Sequence, residues 1–94
     1  MRSIKSGEKG FFIEEGGRQL AEITYTPVDE NTLSIDHTYV SEELRGQGIA
    51  KQLVEKVIDK ARGENKKIIP ICSYAQTLLK DNKNYEDVLK PGSL

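Results

Sequence analysis

The chain has 94 residues, 36% hydrophobic and 31% charged, which is enough for one modest core and no second domain, so residues 1–94 are expected to form a single domain. Its 14 basic and 15 acidic residues leave a formal net charge of -1, which argues against indiscriminate binding to nucleic acid or anionic lipid through a positive field. The single cysteine, Cys72, has no partner for an internal disulfide, and no apolar run approaches the roughly 20 residues that span a bilayer, so a cytoplasmic protein without a membrane segment is the expectation.

Met1 to Lys5 is charged and leads into Gly7-Glu8-Lys9-Gly10 instead of an apolar stretch, so the N-terminus does not read as a signal peptide. Ile4 and its neighbours suit a short edge strand. Gly10 to Glu14, with Phe11, Phe12 and Ile13, and Gln19 to Thr26, with Leu20, Ile23 and Tyr25, flank Glu15-Gly16-Gly17-Arg18, a β-hairpin signature. After a polar turn predicted at Pro27 to Asn31, the segment Thr32 to Val40 alternates. Strict period-2 spacing puts Leu33, Ile35, His37 and Tyr39 on one face and Ser34, Asp36, Thr38 and Val40 on the other.

The hydrophobic period then changes from two to that of a helix. Ile49, Ala50, Leu53, Val54, Val57, Ile58 and Ala61 form one apolar stripe, and Gly63 is expected to stop the helix. Lys67 to Cys72, rich in isoleucine, reads as a buried strand that returns parallel to Thr32–Val40, completing a βαβ unit. Ser73 and Gln76 have the spacing of a capping box for a short helix bearing Tyr74, Ala75, Leu78 and Leu79, and a last helical turn is predicted around Tyr85, Val88 and Leu89. The helix stripe leaves no spare apolar face, so a monomer is expected.

Between the loaded strand and the long helix runs Ser41-Glu42-Glu43-Leu44-Arg45-Gly46-Gln47-Gly48-Ile49-Ala50. The first amides of a helix lack intrahelical acceptors and sit at the positive end of its dipole, so they bind anions without any net positive charge. Glycines at 46 and 48 let an anion approach the backbone without meeting a Cβ, and Arg45 adds a forked donor. The plainer reading is a strand-to-helix turn that uses glycine for positive φ.

Arg45-x-x-Gly48-x-Ala50, after an extended segment ending at Val40 and before an amphipathic helix, resembles the (Q/R)-x-x-G-x-(G/A) signature of the GNAT superfamily of N-acetyltransferases. The resemblance runs from about Leu33 to Leu79. His37-Thr38, Arg45 to Ala50 and Pro70-Ile71-Cys72 are similar to the minimal, single-domain GNAT-like subgroup. The resemblance implies an α/β (α+β) fold: a mixed sheet with an antiparallel N-terminal part, a βαβ crossover around one long helix, and a short C-terminal helix. It implies acetyl-CoA as co-substrate, with the pyrophosphate on Arg45, Gly46, Gln47, Gly48, Ile49, Ala50 and Lys51. It also implies that pantetheine lies along Thr38, Tyr39 and Val40 as a surrogate strand. The implied activity is transfer of acetyl to an unidentified amine, on a small molecule or a protein.

One departure bears on the chemistry. Many members continue as N-x-x-A-x-x-x-Y, where this chain has Cys72-x-x-Ala75-x-x-x-Leu79, so the usual acid tyrosine is replaced by an apolar residue. Cys72, at a strand end and before a helix, is a candidate to protonate the leaving thiolate or to accept the acetyl group; the alternative is a small buried packing residue. His37, the sole histidine, is a candidate base or a group that orients Cys72, against a structural role in or beside the core. Asp36 is the competing base, and Tyr74 and Tyr85 are possible replacements for the acid tyrosine. One histidine and one cysteine without ligand spacing do not make a metal site. A non-catalytic acyl-CoA-binding or sensing module accounts for the same short chain and missing tyrosine.

Overall fold

The computed structural model describes residues 3–80 and 82–92; Met1, Arg2, Asp81, Ser93 and Leu94 lie outside the described residues. Five strands, β1 (Lys5–Ser6), β2 (Gly10–Glu15), β3 (Arg18–Asp29), β4 (Thr32–Val40) and β5 (Lys67–Pro70), form one sheet in the order β1-β2-β3-β4-β5. The first four are antiparallel neighbours, and β5 joins β4 in parallel after the crossover helix α1 (Ile49–Gly63). A short helix, α2 (Ser73–Leu79), and a 3-10 turn at Lys83–Tyr85 follow. This is the mixed α+β fold that the residue pattern predicts.

Gly16 and Gly17 both take positive φ, 58° and 78°, as the two-residue hairpin turn between twisted strands requires. Strand β3 runs on through Pro27 to Asp29, where a turn was expected. Proline is tolerated because β2 pairs with β3 only as far as Thr24, which leaves Pro27 on an open edge with no amide owed to a neighbour. The turn falls at Glu30 and Asn31 instead, tied by the Asn31 N–H donating to Asp29 Oδ1 at 2.8 Å. Gly10, at the start of β2, has a separate reason to be glycine. A Cβ placed there would lie 1.7 Å from the Ile23 carbonyl oxygen. Gly10→Val is expected to cost about 3 kcal/mol or more of stability by chemical denaturation, since backbone must move to admit the side chain. A cost under about 1 kcal/mol would show that the strand end shifts freely.

Helix α1 buries Ile49, Leu53, Val54, Val57, Ile58 and Ala61 against Ile13, Ala21, Ile23, Leu33 and Ile35 of the sheet, in one core. Each large side chain so buried contributes about 1.5–3 kcal/mol relative to exposure. Gly63 is the last helical residue, not the breaker. The left-handed conformation belongs to Asn65, at φ 57°, and the Lys66 N–H reaches back to the Ala61 carbonyl at 2.7 Å. The expected final helical turn is present as the 3-10 turn and the Val88 and Leu89 N–H groups that both donate to the Tyr85 carbonyl at 3.1 Å, after which Leu89 pairs with Ile68 as an isolated bridge beside β5.

The feature that positions the site is a β-bulge in β4. Tyr25 pairs with Ile35 and Thr24 with His37, so Asp36 is the extra residue. Its carboxylate accepts hydrogen bonds from Ser34 Oγ at 2.6 Å and Thr26 Oγ1 at 2.5 Å. The bulge reverses the expected alternation. Thr38 and Val40 share the α1 face with Leu33 and Ile35, whereas His37 and Tyr39 point to the opposite face and are exposed.

Candidate functional site

Parallel pairing of β4 and β5 stops at Ile35 and Pro70. Beyond that point the N–H groups of Ile71 and Cys72 both donate to the Ile35 carbonyl, at 2.9 and 3.1 Å, and the chain swings away into α2. The Asp36–Val40 half of β4 therefore keeps β3 on one side and has no strand on the other among the described residues. Ser41 N–H bonds to Leu20 O at 2.8 Å, which fixes the alternation of the backbone: Tyr39 faces β3, and Thr38 and Val40 direct their peptide groups into the opening. Arg45 Nε donates to the Val40 carbonyl at 3.3 Å and closes one end of it.

The turn before α1 follows from its glycines. Gly46 and Gly48 have φ of 82° and 73°, and no atom lies within 4 Å of a Cβ built on either. Gly48 is the N-cap residue of α1 and supplies no side-chain cap. Among the described residues no acceptor takes the consecutive N–H groups of Gly46 through Lys51; the first amide of this stretch to be satisfied is Gln52, by Gly48 O at 3.1 Å. These donors sit at the positive end of a fifteen-residue helix. Val40, Leu44, Arg45, Gly46, Gly48, Ile49, Ala50 and Tyr74 line a cleft of about 210 Å³ there, with no carboxylate among the described residues of its wall. A larger recess of about 640 Å³, by Tyr25, sets Glu8, Asp36 and Glu64 against Lys9, Lys60 and Lys66, so its charges balance and it offers a polyanion no net attraction.

Cys72, half-buried, stands where the strands part. Its Sγ lies 3.4 Å from Thr38 Oγ1 across the opening and accepts the Ala75 N–H at 3.4 Å, which makes Cys72 the N-cap of α2. The expected capping box at Ser73 is therefore displaced by one residue: Gln76 turns back to the carbonyls of Pro70 and Ile71, at 3.1 and 3.3 Å. Tyr74 is 39% exposed; burial, then the charges of Cys72 and Glu55, raises its phenol above the ordinary tyrosine value, so it holds its proton. Tyr85 is raised likewise by burial and by its hydrogen bond to Glu55, at 3.1 Å, but it is buried in the core. Leu79, in the register of the family's tyrosine, is 1% exposed and packs inward.

The fold thus brings together Val40, Arg45, Gly46, Gly48, Ile49 and Ala50 in one cleft, and Thr38 with Cys72 at the opening. Gln47 is exposed, its side-chain amide donating to Glu43 O at 3.3 Å, and Lys51 is exposed on the first turn of α1. The side chains of His37 and Tyr39 lie on the other face of β4, so the hydroxyl of Thr38, and not the imidazole, meets the sulfur. Leu44 gains a role as cleft wall that no motif advertises, and Thr38, already placed on the pantetheine path by the resemblance, gains the contact with the sulfur. Only the bulge at Asp36 explains the second.

The family model for the GCN5-related N-acetyl-transferase matches residues 10–88. The chain belongs to this family. Among GCN5-related relatives of known structure, a GCN5-like protein from Staphylococcus aureus, solved by NMR, is 47% identical and superposes with a TM-score of 0.79, over 94% of this chain and 87% of that one. A GNAT family acetyltransferase from Elizabethkingia anophelis, crystallised with acetyl-CoA bound, is 26% identical with a TM-score of 0.57, over 73% of this chain and 48% of its own. Protein NATD1 of Xenopus tropicalis is 33% identical over 78 residues, 81% of this chain and 72% of that protein. Family and fold together support an acetyltransferase, with acetyl-CoA the co-substrate that the family and a fold neighbour suggest. No helix among the described residues is long and apolar enough to cross a membrane.

Proposed function

We propose that this chain is an acetyl-CoA-dependent N-acetyltransferase that grips the coenzyme's diphosphate on the Gly46–Lys51 amides and lays pantetheine along Thr38 to Val40. The observation that carries the reading is the run of unpaired N–H groups at the start of α1, in a cleft continuous with the end of a strand that has lost its neighbour. Arg45 holds that strand end and stands beside the diphosphate as a charged donor.

Transfer of acetyl to an amine needs a base for the amine and a proton for the departing thiolate. Leu79 supplies no proton, so that duty passes to Cys72, which borders the opening, or to Tyr74, which lines the cleft and keeps its proton. Cys72 has a second option: its sulfur attacks the thioester carbonyl, the bond to the coenzyme sulfur breaks, and coenzyme A leaves as its thiol with the proton that Cys72 gives up. His37, exposed on the sheet face opposite α1, is the proposed base for an amine arriving from that face.

A non-catalytic acyl-CoA-binding module is the competing reading, favoured by the buried apolar residue at position 79. Incubating the protein with acetyl-CoA, alone and with a panel of small amines and lysine peptides, separates the two. Release of free coenzyme A with an acetyl group appearing on an amine supports the enzyme; saturable binding with no release supports the module.

A further inference from the structure

On the sheet face opposite α1, beside the opening, His37 and Tyr39 are exposed, and Phe12, Glu22 and Thr24 are half-buried. The register sets Glu22 between Tyr39 and Phe12, and Thr24 opposite His37. Glu22 and His37 are therefore diagonal neighbours on adjacent strands, with backbones about 7–8 Å apart. Phe12, Glu22 and Thr24, with Glu8, Lys9 and Gly10, line a recess of about 340 Å³. Glu8 and Lys9 offset one another, so Glu22 gives the recess its net charge. The Glu22 carboxylate accepts from Gln19 Nε2, a neutral donor, at 3.2 Å, and no lysine or arginine among the described residues pairs with it. Lys5, on the same face, stands on β1, beyond Phe12. Other surface carboxylates also lack a cation; what distinguishes Glu22 is its place one strand from the proposed base. Asp36, next to His37 in the chain, is already held by the hydroxyls of Ser34 and Thr26.

We infer that the acceptor carries two amines: one reacts beside His37, while a second, as ammonium, is held by Glu22 in the recess at the far end of an aliphatic chain. The inference rests on the acetyltransferase reading above and names its substrate class. The chain between the two nitrogens crosses Thr24 and lies beside the Tyr39 ring, which is 43% exposed, so its methylenes meet an apolar surface while both ends meet polar groups. The reacting nitrogen gives a proton to His37, forms its bond to the acetyl carbonyl carbon and displaces the sulfur that carried it, which takes a proton and leaves as its thiol. The second ammonium keeps its protons throughout. A free diamine and a pair of neighbouring lysines on a peptide present this same chemistry.

Acetyl transfer by the full chain to 1,5-diaminopentane, compared with transfer to pentylamine, tests this, because the second amine has the same chain without the second charge. A blocked Lys-Lys peptide set against its Lys-Ala counterpart forms a parallel pair. The wild type is expected to show kcat/KM about fivefold or more higher for the doubly charged member of a pair, after allowance for its two reactive ends, with the gap lying in KM and closing as salt is raised. A gap confined to the peptides assigns the second charge to a protein-borne lysine, and one confined to the free amines assigns it to a small diamine. Glu22→Gln keeps the shape of the side chain and removes its charge, so the variant should treat both members of a pair alike. Equal rates within both pairs in the wild type, or a gap that survives in the variant or is indifferent to salt, overturns the inference and leaves the transferase standing. Transfer to none of the four acceptors overturns the transferase reading itself and this inference with it.

Discussion

Gly48→Val is expected to leave a folded protein whose affinity for acetyl-CoA is lower by roughly 100-fold or more. Two effects combine. Gly48 has φ 73°, where a side chain is strained by about 1–2 kcal/mol, so some stability is lost. No protein atom lies within 4 Å of the added Cβ, so nothing in the core clashes and the fold survives, in contrast to Gly10, where backbone is 1.7 Å away. On the proposed reading the open space is the approach route of the phosphate, and an isopropyl group there would hold the oxygens off the Gly48, Ile49 and Ala50 amides. Losing two charge-assisted bonds of about 1.5–3 kcal/mol each accounts for the magnitude. Calorimetry with acetyl-CoA, paired with a thermal melt, measures both parts; unchanged affinity in a destabilised protein would assign the glycine to turn geometry alone.

Cys72→Ser separates chemistry from architecture. Serine is among the strongest N-cap residues, so the Ala75 amide stays satisfied and α2 stays docked, while the thiol is gone. Acetyl-CoA binding is expected to stay within about threefold of wild type, since the proposed diphosphate contacts lie at the start of α1. Turnover is expected to fall by about 100-fold or more, whether the sulfur serves as acid or acyl acceptor. Mass spectrometry of the wild type treated with acetyl-CoA alone then distinguishes the two roles, because only the acceptor gains an acetyl group on Cys72. Full activity in the serine variant would reduce Cys72 to a packing contact for Thr38. Cys72→Ala is the poorer test, as it also removes the cap, at about 1 kcal/mol.

Much of this is legible in the residues, and the places where the structure differs share a cause. The α1 stripe, the Gly16-Gly17 hairpin and the Arg45–Ala50 turn are local patterns whose physics is settled within a few residues, and the structure has each of them in place. The structure departs from the local pattern where a distant partner decides. Nine residues alternating from Thr32 to Val40 look like one continuous pleat; the bulge at Asp36 depends on Thr26, ten residues away, whose hydroxyl helps hold the carboxylate. Pro27 sits in a strand because β2 is too short to reach it. The α2 cap falls on Cys72, not Ser73, because Ile35 O captures the Cys72 amide and Gln76 turns back to β5 instead of serving a capping box. In functional terms the consequence is one exchanged neighbour: Thr38, not His37, touches the sulfur.

The most direct test of the central claim follows backbone amide signals during a titration with acetyl-CoA. The N–H groups of Gly46 through Lys51 should shift first and furthest, with Thr38 and Val40 moving at the same ligand concentration, as one site fills. Saturation that leaves those amides unmoved, or shifts centred on the recess by Lys60, would contradict the account at its root.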